Sequence, residues 1–274
     1  MKLSKLFLSL CILCQVAIVN AEELSVGQVQ KFISISGLAA SIDTMPEQFQ
    51  QQINLQALTQ DDKLSIEKAR QAITSALAAT NGYQIAESYL LSRTDAKNLI
   101  NTIAFLESPL GQQIVAAEAE ANAPEFPVAI QSYSLELANT PPTSERAKLV
   151  KELNKTLKSE DTVVDMLKTM TLVTADFFEG MEPDAAGEVR AAMESEWSNV
   201  EPMIRAQMSQ YVVLASYYLY KDINDQQLSQ YISFLKSQDG QVYSEATIEI
   251  FQRYVNQLVN AMLKNIIADT AAGA

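Results

Sequence analysis

The chain has 274 residues, 48% hydrophobic and 19% charged, enough for one large core or two smaller ones. Acidic residues outnumber basic ones 33 to 20, giving a net charge of −13, and neither half is basic, so recognition of nucleic acid or an anionic membrane by bulk charge is excluded. There is no histidine, and the two cysteines are Cys11 and Cys14; serine–histidine and cysteine–histidine catalysis, zinc sites and iron–sulfur clusters lack their residues.

Lys2 and Lys5 form a basic start, Leu6–Ile18 is almost wholly apolar, and Val19-Asn20-Ala21 places small or tolerated residues before Glu22-Glu23. That layout predicts a cleavable signal peptide over 1–21, because the apolar run is shorter than the ~20 residues a membrane span needs. Both cysteines leave with it. Leu10 and Leu13 stand where a lipoprotein signal needs a small residue, so no lipid anchor is expected. The mature chain is then free of disulfides and carries −15. No stable membrane insertion follows signal removal, since the strongest later apolar stretch, Tyr211–Tyr220, is too short. The localisation this predicts is export, to the periplasm of a Gram-negative bacterium.

Scarce glycine, proline confined to breaks, and abundant Ala, Gln, Glu, Lys, Leu and Met predict an all-α fold with no significant β-sheet. The pattern divides the mature chain into a first helical repeat over 22–138, a proline-rich linker over 139–144, a second repeat over 145–270 and a flexible tail over 271–274. In the first repeat Leu99, Ile103 and Leu106 share a helix face; Ser108 is placed as an N-cap, and Pro109 suits the first helical position after it. Glu118, Glu120 and Glu125 follow and read as a solvated acidic face. After the linker, Val163, Met166, Leu167, Met170, Val173 and Phe177 recur at helical spacing. Asp176, Glu179, Glu182, Asp184 and Glu188 gather around a turn expected at Gly180, and Pro183 and Pro202 suit first helical turns. Trp197, at helical spacing from Met193, is expected in the core. No glycine or proline interrupts Gln241–Ala272, where Tyr243, Ile250, Tyr254, Leu258 and Met262 mark a long amphipathic helix.

The most specific feature is internal. Phe105-Leu106-Glu107-Ser108-Pro109-Leu110-Gly111-Gln112 returns as Phe234-Leu235-Lys236-Ser237-Gln238-Asp239-Gly240-Gln241, and upstream Leu99, Ile103 and Tyr89 align with Leu228, Ile232 and Tyr218. This predicts a bundle of two diverged helical-hairpin repeats, each with a helix–corner–helix unit. Gly111 and Gly240 are poor helix formers and imply close approach of the second helix to the first. An anion site at the corner is the functional alternative to this structural reading.

With its apolar helix and exported setting, Phe-Leu-x-Ser-x-x-Gly-Gln resembles the motif of the bacterial family catalogued as domain of unknown function 2059, over about 80–125 and 210–255. The resemblance implies a signal-bearing, helix-rich, periplasmic protein. It implies no activity, substrate or catalytic residue.

No phosphate loop, nucleophile elbow or EF-hand is present, so no catalytic residue, metal ligand or cofactor is assigned. The acidic clusters leave carboxylate-dependent hydrolysis of envelope glycans as the enzymatic reading. Aromatic and methionine side chains gather in the second repeat, and Tyr211, Tyr217, Tyr218 and Tyr231 are the candidates for an apolar surface. The leading expectation is a non-enzymatic binding or scaffold protein, with a protein, peptide or small apolar ligand as partner; a carrier of a small apolar ligand inside the bundle is the alternative. Osmotic-shock extracts are expected to contain a chain lacking residues 1–21; an intact Met1 form confined to the cytoplasm contradicts export.

Overall fold

The computed structural model describes residues 24–57, 63–181 and 187–273; the segment 1–21 expected to be a signal peptide, with Glu182, Pro183 and Asp184, lies outside them. Among the described residues there are twelve α-helices, one 3-10 turn and no strand, as the composition predicts.

Local caps explain most boundaries. α1 (Val26–Ile35) starts in a capping box between Ser25 and Gln28 and buries Val29, Phe32 and Ile33. Gly37, at φ +84, turns the chain into α2 (Leu38–Ala57). α3 (Lys63–Ala79) leads to α4 (Gly82–Arg93), capped by Asn81, and α5 (Ala96–Leu106), capped by Asp95. α6 is Pro109–Ala119, a 3-10 turn spans Glu120–Asn122, and α7 is Phe126–Asn139. The predicted linker is the break between α7 and α8 (Ser144–Leu157), which Thr143 caps. Lys158 stops α8 in the left-handed conformation, at φ 50, and α9 (Ser159–Met181) follows immediately. α10 (Glu188–Leu219), α11 (Asp225–Lys236) and α12 (Gln238–Gly273) complete the chain.

Three expectations need correction. Pro202 lies inside α10 rather than in a first turn. A proline costs ~3 kcal/mol in a helix interior, but α10 packs along α9 in the most extensive helix pair of the fold, and good helix formers flank the break. Gly180 does not turn the chain, because α9 runs through it to Met181. The tail read as flexible is helical as far as Gly273.

The two halves share a core. Val29, Phe32, Leu99, Leu106 and Ile114 pack in one cluster with Leu153, Leu228, Leu235 and Ile250. Trp197 is buried as expected, and its indole N–H donates to Glu201 (3.0 Å). Arg205 ties α10 to the start of α9 through Glu160 and Asp161.

At the centre stand the two corners. In the first, the Ser108 hydroxyl accepts from Gly111 N–H at 3.1 Å and donates to Phe105 O at 2.6 Å. In the second, Ser237 does the same for Gly240 (3.2 Å) and Phe234 O (2.6 Å). A Cβ on Gly111 would sit 2.2 Å from Phe105 O, and on Gly240 2.0 Å from Phe234 O, so both glycines serve close backbone approach. The corners also meet. The Phe105 and Phe234 rings stack at 3.7 Å and 6°, and the Thr102 hydroxyl reaches Asp239 O at 2.9 Å. Gly111→Ala and Gly240→Ala are each expected to lower stability by ~1–3 kcal/mol, the usual range for overpacking, read as a drop in Tm. Gly27→Ala, with nothing within 4 Å, is expected to leave Tm unchanged or raise it; equal effects at all three positions contradict this account.

Candidate functional site

α6 presents Gly111, Ile114 and Glu118 along one stripe, at steps of three and four residues. The first two are buried against the core, and the same stripe leaves Glu118 half-buried and turned toward the interior rather than on the solvated face predicted for it. Its Oε1 accepts hydrogen bonds from the hydroxyls of Tyr220 and Tyr231, both 2.7 Å away. Its Oε2 lies 3.4 Å from the Tyr243 hydroxyl, which is also 3.4 Å from Ser36 O. These tyrosines come from the end of α10, the middle of α11 and the first turns of α12, and all three are buried. Tyr220 is held from outside the cluster. The Arg146 guanidinium donates to Tyr220 O and Ile223 O and pairs with Asp225 (3.1 Å), locking the α10–α11 turn.

Loss of water pushes the Glu118 carboxyl above the usual glutamate range, while its tyrosine donors pull in the other direction and do not cancel the burial. Burial and the neighbouring Glu118 charge push all three tyrosine hydroxyls well above 10. Tyr220 and Tyr231 donate to Oε1, and the single Tyr243 proton is shared between two long contacts, to Oε2 and to Ser36 O.

This cluster forms the buried end of a cavity of ≈ 410 Å³, walled mainly by α8, α9, α10 and α12. Its sides are mostly apolar: Leu157, Val163, Val212, Ala215, Leu219 and Ile248 line it. Among the described residues that line it, Glu118 is the one acidic or basic side chain. Asn154 on α8 adds a polar point. Its Oδ1 lies 2.8 Å from the Ser216 hydroxyl, and its Nδ2 is buried with no protein partner. The amide can engage that single hydroxyl with only one of its two ends, so the other end is left for an occupant or water.

The four tyrosines proposed as an apolar surface do not share one. Tyr231, buried on Glu118, and Tyr211, 41% exposed, both line the cavity. Tyr217 packs on the core beside Val213 and Leu137. Tyr218 lies between Phe126 and Tyr133, with Lys221 Nζ 4.0 Å from its ring centre. Of the corner residues, Leu106, Leu235, Gly111 and Gly240 are buried, Phe105 and Phe234 are half-buried, and Gln112 and Gln241 are exposed. Both corner glycines face the preceding helix rather than an outward anion site. Glu120 pairs with Lys221 at 3.1 Å, outside the cavity lining. No family model, no curated protein and no solved structure matches this chain.

The raised carboxyl links the site to pH. Between the unfolded glutamate value near 4.5 and the higher folded value, the folded state holds the extra proton, so stability falls as pH rises through that window. Glu118→Gln keeps an acceptor for the tyrosines and removes the titration. Chemical denaturation across the acid range is expected to show the wild type losing stability relative to Glu118→Gln as pH rises above 4.5; a difference constant with pH contradicts the burial of this carboxyl.

Proposed function

We propose that the chain is an exported, non-enzymatic binding protein of a Gram-negative periplasm, and that it carries a small apolar ligand in the cavity closed by Glu118. The observation that carries this reading is the cavity itself: ≈ 410 Å³, mostly apolar, lined by Glu118 with its tyrosines and by an Asn154 amide whose Nδ2 has no partner. Small-molecule sites have this form, at ~300–1,000 Å³ with a few polar groups that orient the ligand. Export rests on Lys2, Lys5, the Leu6–Ile18 run and Ala21. Membership of the family catalogued as domain of unknown function 2059, and descent of the two halves from one duplicated unit, rest on the repeated motif and the matching corners at Ser108 and Ser237.

Of the three sequence-based readings, the apolar-ligand carrier fits this geometry best. Glycan hydrolysis would use a second carboxyl across the cleft, ~5–10 Å from the first. Glu118 is the one acidic side chain among the described lining residues, and its Oε1 is engaged by two tyrosine hydroxyls.

Native mass spectrometry of protein released gently from the periplasm is expected to show a lipid-sized adduct. Ala215→Trp, which fills the cavity from α10, is expected to remove it. A bare mass, together with no uptake of the neutral dye N-phenyl-1-naphthylamine by the wild type, contradicts the proposal.

A further inference from the structure

Glu118 is half-buried, and among the described residues no cation pairs with its carboxyl. Its hydrogen-bond partners are three neutral tyrosine hydroxyls. The nearby cations are committed elsewhere. Lys221 pairs with Glu120 and lies over the Tyr218 ring, and Arg146 is spent on Tyr220 O, Ile223 O and Asp225. Oε1 already accepts two short bonds, whereas Oε2 has only the long 3.4 Å contact from Tyr243, so Oε2 keeps accepting capacity at the end of the cavity. Buried charges in proteins are normally paired. Here the missing partner has room to arrive from the cavity, which Glu118 lines.

Resting on the binding reading above, we infer that the occupant is a cationic amphiphile: an apolar body ending in an amine, whose ammonium donates to Glu118 Oε2 at the buried end of the cavity. The apolar walls from α9, α10 and α12 take the body. The ammonium supplies both a donor for Oε2 and the counter-charge the site lacks. The rings of Tyr220, Tyr231, Tyr243 and Phe126 line the same space, and aromatic faces attract a desolvated cation. A fatty acid anion fits this end badly: it meets a carboxyl, and two of the three tyrosine protons are already directed at Oε1. A fatty alcohol gains a hydrogen bond but no charge.

The test is displacement of N-phenyl-1-naphthylamine from the mature protein by dodecylamine, dodecanol and dodecanoate, each below its micellar concentration. The amine is expected to bind about 10-fold more tightly than the alcohol, the scale of one charge-assisted hydrogen bond, and the alcohol more tightly than dodecanoate. In Glu118→Gln the amine's advantage over the alcohol is expected to disappear. The wild type supplies a second readout that needs no variant. The amine's advantage over the alcohol grows as pH rises above 4.5 through the raised Glu118 value, because Glu118 ionises while the amine stays protonated. An amine that binds no better than the alcohol, or whose advantage survives Glu118→Gln or is flat with pH, overturns the inference and leaves the cavity reading standing. Failure of the dye and all three ligands to bind overturns both.

Discussion

A carboxyl group moved out of water costs several kcal/mol unless hydrogen bonds replace the lost hydration, and the arrangement of the second half follows from how Glu118 meets that demand. Its donors arrive from α10, α11 and α12, so one side chain on α6 fixes where three helices stand. Tyr220 can serve only because Arg146 holds its backbone in place from α8. The cavity is a consequence of the same constraint. With the polar end anchored, the apolar faces of α8, α9, α10 and α12 are left to line the space beyond it.

The corners explain how the donors and the acceptor come within reach of each other. Gly111 lets α6 lie against the end of α5, and Glu118 follows two turns later on the same stripe. Gly240 does the same for α12 against α11, and Tyr243 follows three residues on. The Phe105–Phe234 stack then sets one corner against the other and brings the two stripes together. Backbone approach, aromatic stacking and a hydrogen-bonded acid thus link a short sequence motif to the apolar cavity.

The corners were legible in the sequence because their determinants are local. A serine cap, an N1 proline in the first copy and a glycine three residues past the cap each act within one turn of helix. Glu118 was misread because its determinants are not local: its hydroxyl partners are 102, 113 and 125 residues away in the chain. With acidic Glu120 and Glu125 as neighbours, composition pointed to solvent. The usable signal was the spacing of Gly111, Ile114 and Glu118, which places an acid on the buried stripe of a short helix. Tyr231 was singled out correctly as a residue of interest but assigned to the surface, since periodicity does not distinguish a tyrosine facing water from one whose hydroxyl is satisfied inside. Pro202 was misplaced for the opposite reason: a strong local rule yielded to the long packing of α10 on α9.

In the proposed binding role, selectivity rests on one acid whose state depends on its surroundings. The most direct test of that claim is the titration of the Glu118 side-chain carboxyl by carbon-13 NMR in the mature protein, with Glu118→Gln assigning the resonance. The account requires one carboxyl that titrates above the ordinary glutamate value of 4.5 and is lost in the variant. A Glu118 resonance that titrates with the other glutamates contradicts it.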